Sequence, residues 1–185
     1  GLSLSVPNGS NLLEILQGNA SLRKEITQIF EIYGLRLALD TADSSIKFFK
    51  ELSDGAAVII PYHQVADTLR RLIFFKTAIQ TNHDSILLFE EPEAHMFPPY
   101  ISKFTADVMY NKSQNQYFIT THSPFVLNDF MEDVDKEDLS VYAVGYKKET
   151  GETIIRRITE DEMEEIYQYA VDLFFNLENY LKDAV

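Results

Sequence analysis

The sequence predicts an α/β fold with a mainly parallel core sheet flanked by helices and supplemented by antiparallel hairpins. Three observations lead there. Ile86-Leu87-Leu88-Phe89 is an unbroken apolar run that stops at two adjacent acids, Glu90 and Glu91, and then at Pro92; such continuity suits a strand of a parallel sheet covered on both faces. A stretch of helical periodicity follows, opening at Pro98-Pro99 and placing Ile101, Phe104, Val108 and Met109 on one stripe, and then a second strand-like run, Gln116 to Thr120. Strand, helix, strand is a crossover unit, which gathers functional groups at the C-terminal ends of its strands. Short extended segments on either side of this unit, separated by turns, supply the hairpins.

In chain order, Ser10 to Tyr33 reads as one or two amphipathic helices interrupted near Gly18-Asn19, with Leu22, Ile26, Ile29, Phe30 and Tyr33 on a single stripe. Leu35, Leu37 and Leu39 alternate, Asp40 to Ser45 is turn-like, and Ile46 to Phe49 resumes an extended pattern, so a hairpin is expected. Ala57 to Ile60 is a short apolar strand halted at Pro61. Val65, Leu69, Leu72, Ile73, Lys76 and Ile79 trace a second helical face running to about Gln80. After the crossover unit, Leu139 to Tyr146 and Thr153 to Ile158 flank the turn Lys147 to Glu152, and this second hairpin is expected to extend the sheet. Thr159 and Glu162 then fit a capping box ahead of a helix whose stripe is Met163, Ile166, Tyr167, Ala170 and Phe174. No repeat, low-complexity tract or linker interrupts the chain. We read one domain with a helical and hairpin region at 1–56, a core at 57–130, and a C-terminal hairpin and helix at 131–185.

Composition narrows the function classes. The chain has 185 residues, 45% of them hydrophobic, which is enough for a globular core. Its formal net charge of −13 disfavours direct binding of nucleic acid or an anionic membrane by this chain alone. No apolar run is long enough to span a membrane, and no basic-then-apolar signal pattern opens the chain. The absence of cysteine excludes disulfides and thiolate metal sites and fits a reducing, cytoplasmic setting. Gly1 at the start is equally consistent with removal of an initiator Met and with a chain that begins inside a larger gene product.

The chemistry-bearing residues converge on the two strand ends. Phosphoryl transfer from a nucleotide asks a protein chiefly for positioning and charge stabilisation. Glu90, nearest the strand, can hold magnesium, an ion that keeps part of its hydration and takes only one or two carboxylates. Glu91 can then orient and polarise the attacking water, with Pro92 stopping the strand so that both acids stay in the crevice. His122, in Thr120-Thr121-His122-Ser123-Pro124, can donate to a terminal phosphate as charge develops there, supported by the hydroxyls of Thr120, Thr121 and Ser123. The loop that would hold the phosphates, G-x-x-x-x-G-K-[ST], occurs nowhere in the chain.

Ile86 to His95 with Pro98 close behind, and then Phe118-Ile119-Thr120-Thr121-His122-Ser123-Pro124, closely resemble the Walker B and switch-histidine segments of ABC-type, AAA-like ATPases related to SMC and OLD proteins. The resemblance is strongest from about Ile60 to Asn128. It implies a layered, P-loop NTPase-like fold of which this chain is a C-terminal portion, with ATP and Mg2+ as cofactors. Glu91 and His122 would be catalytic, Glu90 the magnesium ligand, and Glu93 and His95 accessory. Val65 to Arg71 looks like the signature helix that contacts nucleotide across a dimer, so Asp67, Arg70, Arg71 and Ser123 become nucleotide-facing candidates. The implied partners are the protein's own N-terminal ATPase half, bearing the phosphate loop, and a second copy in a nucleotide-dependent homodimer. The chain departs from the family pattern where Ala66 and Thr68 stand for glycines, where Glu90 stands for the more widespread Asp, and where the phosphate loop is missing.

Two other readings compete. A metal-dependent phosphoesterase or nuclease would use Glu90, Glu91, His95 and His122 as ligands, with Asp133-Val134-Asp135 as a Toprim-like pair. A non-catalytic, ATPase-derived module would bind partners or dimerise. Taken singly, the acids could be a solvated loop, His122 a strand-end hydrogen-bonding residue, and Asp67, Arg70 and Arg71 the polar face of a helix.

Overall fold

A computed structural model describes residues 2–148 and 150–181; Gly1, and Glu149 in the turn expected between the last two strands, lie outside the described residues. The N-terminal helical region is broken where the sequence indicates. Helix α1 spans Leu12–Gly18 and α2 spans Ala20–Glu31, and between them Asn19 is extended and caps α2 by accepting the Leu22 N–H at 3.0 Å. Asparagine serves this role because its side-chain oxygen satisfies one of the orphan donors of the first turn. Leu22, Ile26, Ile29 and Phe30 are buried on the inner face of α2, whereas Tyr33 lies beyond the helix and is 42% exposed.

Strands β1 (Arg36–Asp40), β2 (Ser45–Glu51) and β3 (Ala57–Pro61) form an antiparallel sheet in that order, with Leu37 opposite Phe48 and Phe49 opposite Ile59. The first turn is held by Asp40, which accepts the N–H groups of Ala42 and Asp43 and the Lys47 ammonium, the last at 2.6 Å. Phe48, on the buried face of β2, stacks on Phe30 with ring centroids 4.0 Å apart, which fixes the sheet against α2.

After a 3-10 turn at Tyr62–Gln64, helix α3 (Asp67–Thr81) runs through the middle of the main core, with Leu69, Leu72, Ile73, Phe75 and Ile79 buried. Lys76 sits on this buried face, as the helical spacing predicts, and its charge is answered from both sides. Its ammonium donates to Asp107 at 2.6 Å and to Glu25 of α2 at 3.0 Å, while Gln80 also donates to Glu25.

The crossover unit is β4 (Ile86–Glu90), α4 (Pro98–Met109) and β5 (Gln116–Thr120). Its strands are parallel, with Ile86 level with Gln116 and Glu90 level with Thr120. The inner face carries Leu87, Phe89, Tyr117 and Ile119 against the core, where Phe75, Phe89 and Phe104 meet edge to face at 5.2 to 5.5 Å. Prolines 98 and 99 open α4 as expected, because the first turn has no intrahelical use for their missing N–H groups. One expectation fails here. The unbroken apolar run predicts burial on both faces, but Ile86 (64% exposed), Leu88 (77%) and Phe118 (52%) lie on an open outer face. Among the described residues β4 and β5 pair only with each other, and no described residue covers that side.

Helix α5 (Pro124–Asp133) returns along α4 and is tied to it by Thr105, whose buried hydroxyl donates to Asp129 at 2.6 Å. Strands β6 (Tyr142–Lys147) and β7 (Glu152–Arg157) form the second hairpin, which stands as its own antiparallel sheet and does not extend the β4–β5 pair among the described residues. Helix α6 (Glu160–Gln168) starts with the predicted capping box, Thr159 and Glu162 bonding reciprocally. It ends earlier than its apolar spacing suggests. Ala170 turns left-handed at φ +50°, its N–H and that of Val171 bond back to Tyr167 and Ile166, and Tyr167 stays 44% exposed. That pattern of 5→2 and 6→1 bonds closes a helix. Here it has alanine where glycine is usual, so the sequence carries no stop signal. Helix α7 (Leu177–Leu181) packs with α6 and the hairpin around Ala143, Ile158, Met163, Ile166 and Leu173.

Candidate active site

The parallel register of β4 and β5 brings their C-terminal ends level, and the pairing continues one residue further as the Glu91 N–H donates to the Thr120 carbonyl at 2.9 Å. The loops that follow, 91–96 and 121–123, therefore lie side by side. Glu91 itself is left-handed at φ +40°, which is uncommon for a residue with a side chain and turns the backbone out of the strand ahead of the buried Pro92. His95 is left-handed as well, at φ +61°. Between them the Ala94 N–H returns to Glu91 and the Met96 N–H to Glu93, giving two tight turns in succession.

This geometry brings together the two residues that the sequence marks most strongly. His122 Nε2 stands 3.3 Å from Glu91 Oε1, with the histidine side chain 81% and the glutamate side chain 48% exposed. The pair forms an open shelf and not an enclosed pocket. Glu90 ends β4 on the outer face beside Thr120, both exposed. One carboxylate and one hydroxyl on an open strand end are the kind of donor set that suits a cation keeping several waters. Among the described residues no group of three or more His, Asp and Glu side chains is gathered tightly enough to form a protein-only metal cage.

Glu93 lies between the two loops. Its Oε1 accepts the Thr121 hydroxyl at 2.8 Å and the His122 N–H at 2.8 Å, and the Thr121 oxygen accepts the Ser123 N–H at 3.0 Å. Ser123, 8% exposed, precedes α5 at the N-cap position, and its hydroxyl makes no capping bond. His95 enters through its backbone, since its carbonyl accepts the Thr68 hydroxyl at 2.6 Å.

The start of α3 reaches this loop within the same chain. Arg71 donates to the Glu91 carbonyl at 3.2 Å and lies over the Phe75 ring at 5.3 Å, while Arg70 pairs with Asp67 at 3.0 Å. Asp67, Arg70 and Arg71 thus stand at the N-terminal end of a helix abutting the acid loop, and Arg71 is engaged with it directly. The sequence reading missed Thr68 as a tether. Its only signal was position, one turn before Arg71 and therefore on much the same helix face.

Comparison with known proteins agrees with the fold. The family model described as "AAA domain, putative AbiEii toxin, Type IV TA system" matches residues 10–128. No curated protein sequence matches the chain. Among solved structures, an SMC ATPase studied for ATP-driven dimerization and DNA-stimulated activation superposes with a TM-score of 0.54 at 12% identity, covering 86% of this chain and 96% of that one. The Smc head domain with coiled coil and joint from Pyrococcus yayanosii gives a TM-score of 0.52 at 12% identity, over 81% of this chain and 29% of that one. The Smc head of Pyrococcus furiosus, with an extended coiled coil and bound to the C-terminal domain of ScpA, gives 0.53 at 11% identity, over 88% and 41%. The chain therefore spans well under half the length of these two Pyrococcus heads while matching nearly all of the first structure's chain. At these identities the superpositions establish a shared fold. The family match covers more than half of the chain, including both strand-end loops, and the chain belongs to this AAA-domain family, with a fold similar to that of SMC ATPase heads.

Proposed function

We propose that this chain supplies the water- and magnesium-handling side of an ATPase site. The observation that carries the proposal is the approach of His122 Nε2 to Glu91 Oε1 at 3.3 Å across two level parallel strand ends. In this reading Glu90 holds Mg2+, with waters completing its shell, and the ion neutralises phosphate charge when bound. Glu91 orients the attacking water and accepts its proton, and the left-handed turn at Glu91 keeps the carboxylate clear of the strand. His122 contacts the terminal phosphate as charge builds on it. Asp67, Arg70 and Arg71 at the start of α3 form the surface offered to a second copy in a nucleotide-dependent dimer, and Ser123 sits behind the switch histidine.

The phosphate-holding side comes from an N-terminal ATPase half. This is supported by the lack of a G-x-x-x-x-G-K-[ST] motif and by the open apolar face of Ile86, Leu88 and Phe118 on a sheet of only two described strands. We place the protein in the cytoplasm on its lack of cysteine; no described helix is long and apolar enough to cross a membrane.

The test is ATP turnover by the intact protein. Glu91→Gln keeps nucleotide binding and lowers kcat by about 10² to 10⁴, the usual contribution of a positioned general base. Undiminished hydrolysis by this variant would remove Glu91 from the role. A second reading, a non-catalytic ATPase-derived interaction module, draws on the bonds that Thr68, Arg70 and Arg71 already make within the chain, to the His95 carbonyl, to Asp67 and to the Glu91 carbonyl. Failure of the intact wild-type protein to hydrolyse ATP would favour it.

A further inference from the structure

We propose that Glu93 is the positioning residue of this site: one carboxylate oxygen locks the switch loop to the acid loop and thereby sets the approach of His122 to Glu91. The proposal deepens the ATPase reading and, for its catalytic consequence, rests on it.

Three features carry it. Both of the polar groups that define the 121–122 turn, the Thr121 hydroxyl and the His122 N–H, donate to the same atom, Glu93 Oε1, each at 2.8 Å. Bonds of N–H and O–H groups to a carboxylate are stronger than those to a neutral acceptor. The Thr121 oxygen in turn accepts the Ser123 N–H at 3.0 Å, so that the carboxylate organises all three residues leading into α5. Finally, Glu93 Oε2 is shut off from solvent without a hydrogen-bond partner among the described residues. A carboxylate with one buried oxygen left unpaired is disfavoured on its own account. A solvated acid in a surface loop has no such constraint, and here it coincides with one bond from the backbone N–H of His122, the residue facing Glu91, and one from the hydroxyl of the residue before it.

His122 reaches Glu91 through an imidazole that is itself 81% exposed, so little packing holds the side chain. Its position derives from its backbone, and the backbone N–H is fixed by Glu93. The two loops accordingly act as one piece, joined by the Glu91 N–H to the Thr120 carbonyl at the strand end and by Glu93 beyond it.

Two measurements test this. In the full chain, amide hydrogen exchange at His122 and Ser123 rises about tenfold or more in Glu93→Ala, while the paired amides of β4 and β5 keep their protection. In the intact protein, Glu93→Ala lowers kcat about tenfold with KM for ATP within about twofold, and causes no further loss in a His122→Ala background. Glu93→Gln, whose amide oxygen can accept the same two bonds, stays within about threefold of wild type. The proposal is overturned if exchange at His122 does not change, if the Glu93 and His122 losses multiply, or if Glu93→Gln falls as far as Glu93→Ala. Should the intact protein hydrolyse no ATP, the ATPase reading fails while the exchange result still decides whether Glu93 holds the loop.

Discussion

Replacing Lys76 with methionine isolates the energetic role of the one lysine buried in the core of the described chain. The methionine retains most of the aliphatic stem and deletes the charge. Lys76 is 9% exposed, and its ammonium meets Asp107 at 2.6 Å and Glu25 at 3.0 Å. Burial works against the charged lysine, but hydrogen bonds and attraction from Asp107 and then Glu25 hold its pKa above the ordinary value. The two acids differ in what they lose. Glu25, with a side chain 37% exposed, keeps water and the Gln80 amide, whereas Asp107, 17% exposed, loses its cation and has a second oxygen already buried without a partner. Breaking a buried pair from one side costs about 3–5 kcal/mol, and the residual solvation of Glu25 puts Lys76→Met at the lower end, near ~3 kcal/mol. Removing both sides of the stronger pair, in Lys76→Met with Asp107→Leu, recovers most of this, because no unpaired charge then remains. Urea denaturation of the chain followed by circular dichroism measures both. Burial pushes the Asp107 carboxyl up against the pull of Lys76. Without the lysine that upward push loses its main opponent, leaving only the weaker pull of Lys103, and a carboxyl raised on folding contributes stability that is present below its unfolded pKa and lost as pH rises. The deficit of Lys76→Met relative to wild type therefore shrinks as pH falls towards the unfolded-state value of Asp. A loss under ~1 kcal/mol at neutral pH, or a double variant as weak as the sum of the singles, would refute the reasoning.

Two further outcomes are expected. Thr159→Ala removes one arm of the α6 capping box and destabilises the C-terminal cluster by about 1 kcal/mol, readable as faster amide exchange in the first turn of α6, with Arg156 still pairing Glu162. The Lys47 ammonium and the N–H groups of Asp43 and Ala42 hold the Asp40 carboxyl down at about 2. A depressed carboxyl stabilises above its unfolded value and loses that contribution as pH falls towards 2. Asp40→Asn thus flattens the acid limb of the stability profile, by a small, salt-sensitive amount because the half-buried pair still meets solvent; an acid limb of unchanged steepness would contradict this.

The elements that were legible in the sequence are those whose local chemistry is self-sufficient. Asn19 announces the break between α1 and α2, the Asp40 to Ser45 turn announces its hairpin, and Thr159 with Glu162 announces α6, each because a side chain within a few residues meets a backbone group. The crossover unit was equally readable, down to the level ends of β4 and β5. The end of α6 was not readable, since Ala170 adopts a left-handed conformation that its own side chain does not favour. The exposure of Ile86 and Leu88 escaped because an apolar run predicts cover on both faces of a strand, whereas the described residues pack against the inner face alone. At the site, residue types pointed to Glu91 and His122. The parts that hold them in place, Glu93 to the 121–122 turn, Thr68 to the His95 carbonyl and Arg71 to the Glu91 carbonyl, are contacts across the fold that no spacing reveals.

The exposed outer side of β4 and β5 also bears on how the chain behaves on its own. Ile86, Leu88 and Phe118 form a flat, uncharged apolar strip on a sheet with unpaired edges, the surface that chaperones hold and that nascent chains use to stick to one another. The net charge of −13 opposes such encounters by mutual repulsion, an effect that weakens as salt rises. On the reading proposed above, in which an N-terminal ATPase half covers this strip, covering it is a step of quality control as well as of assembly, because the bare face is the part of the sheet most prone to aggregate.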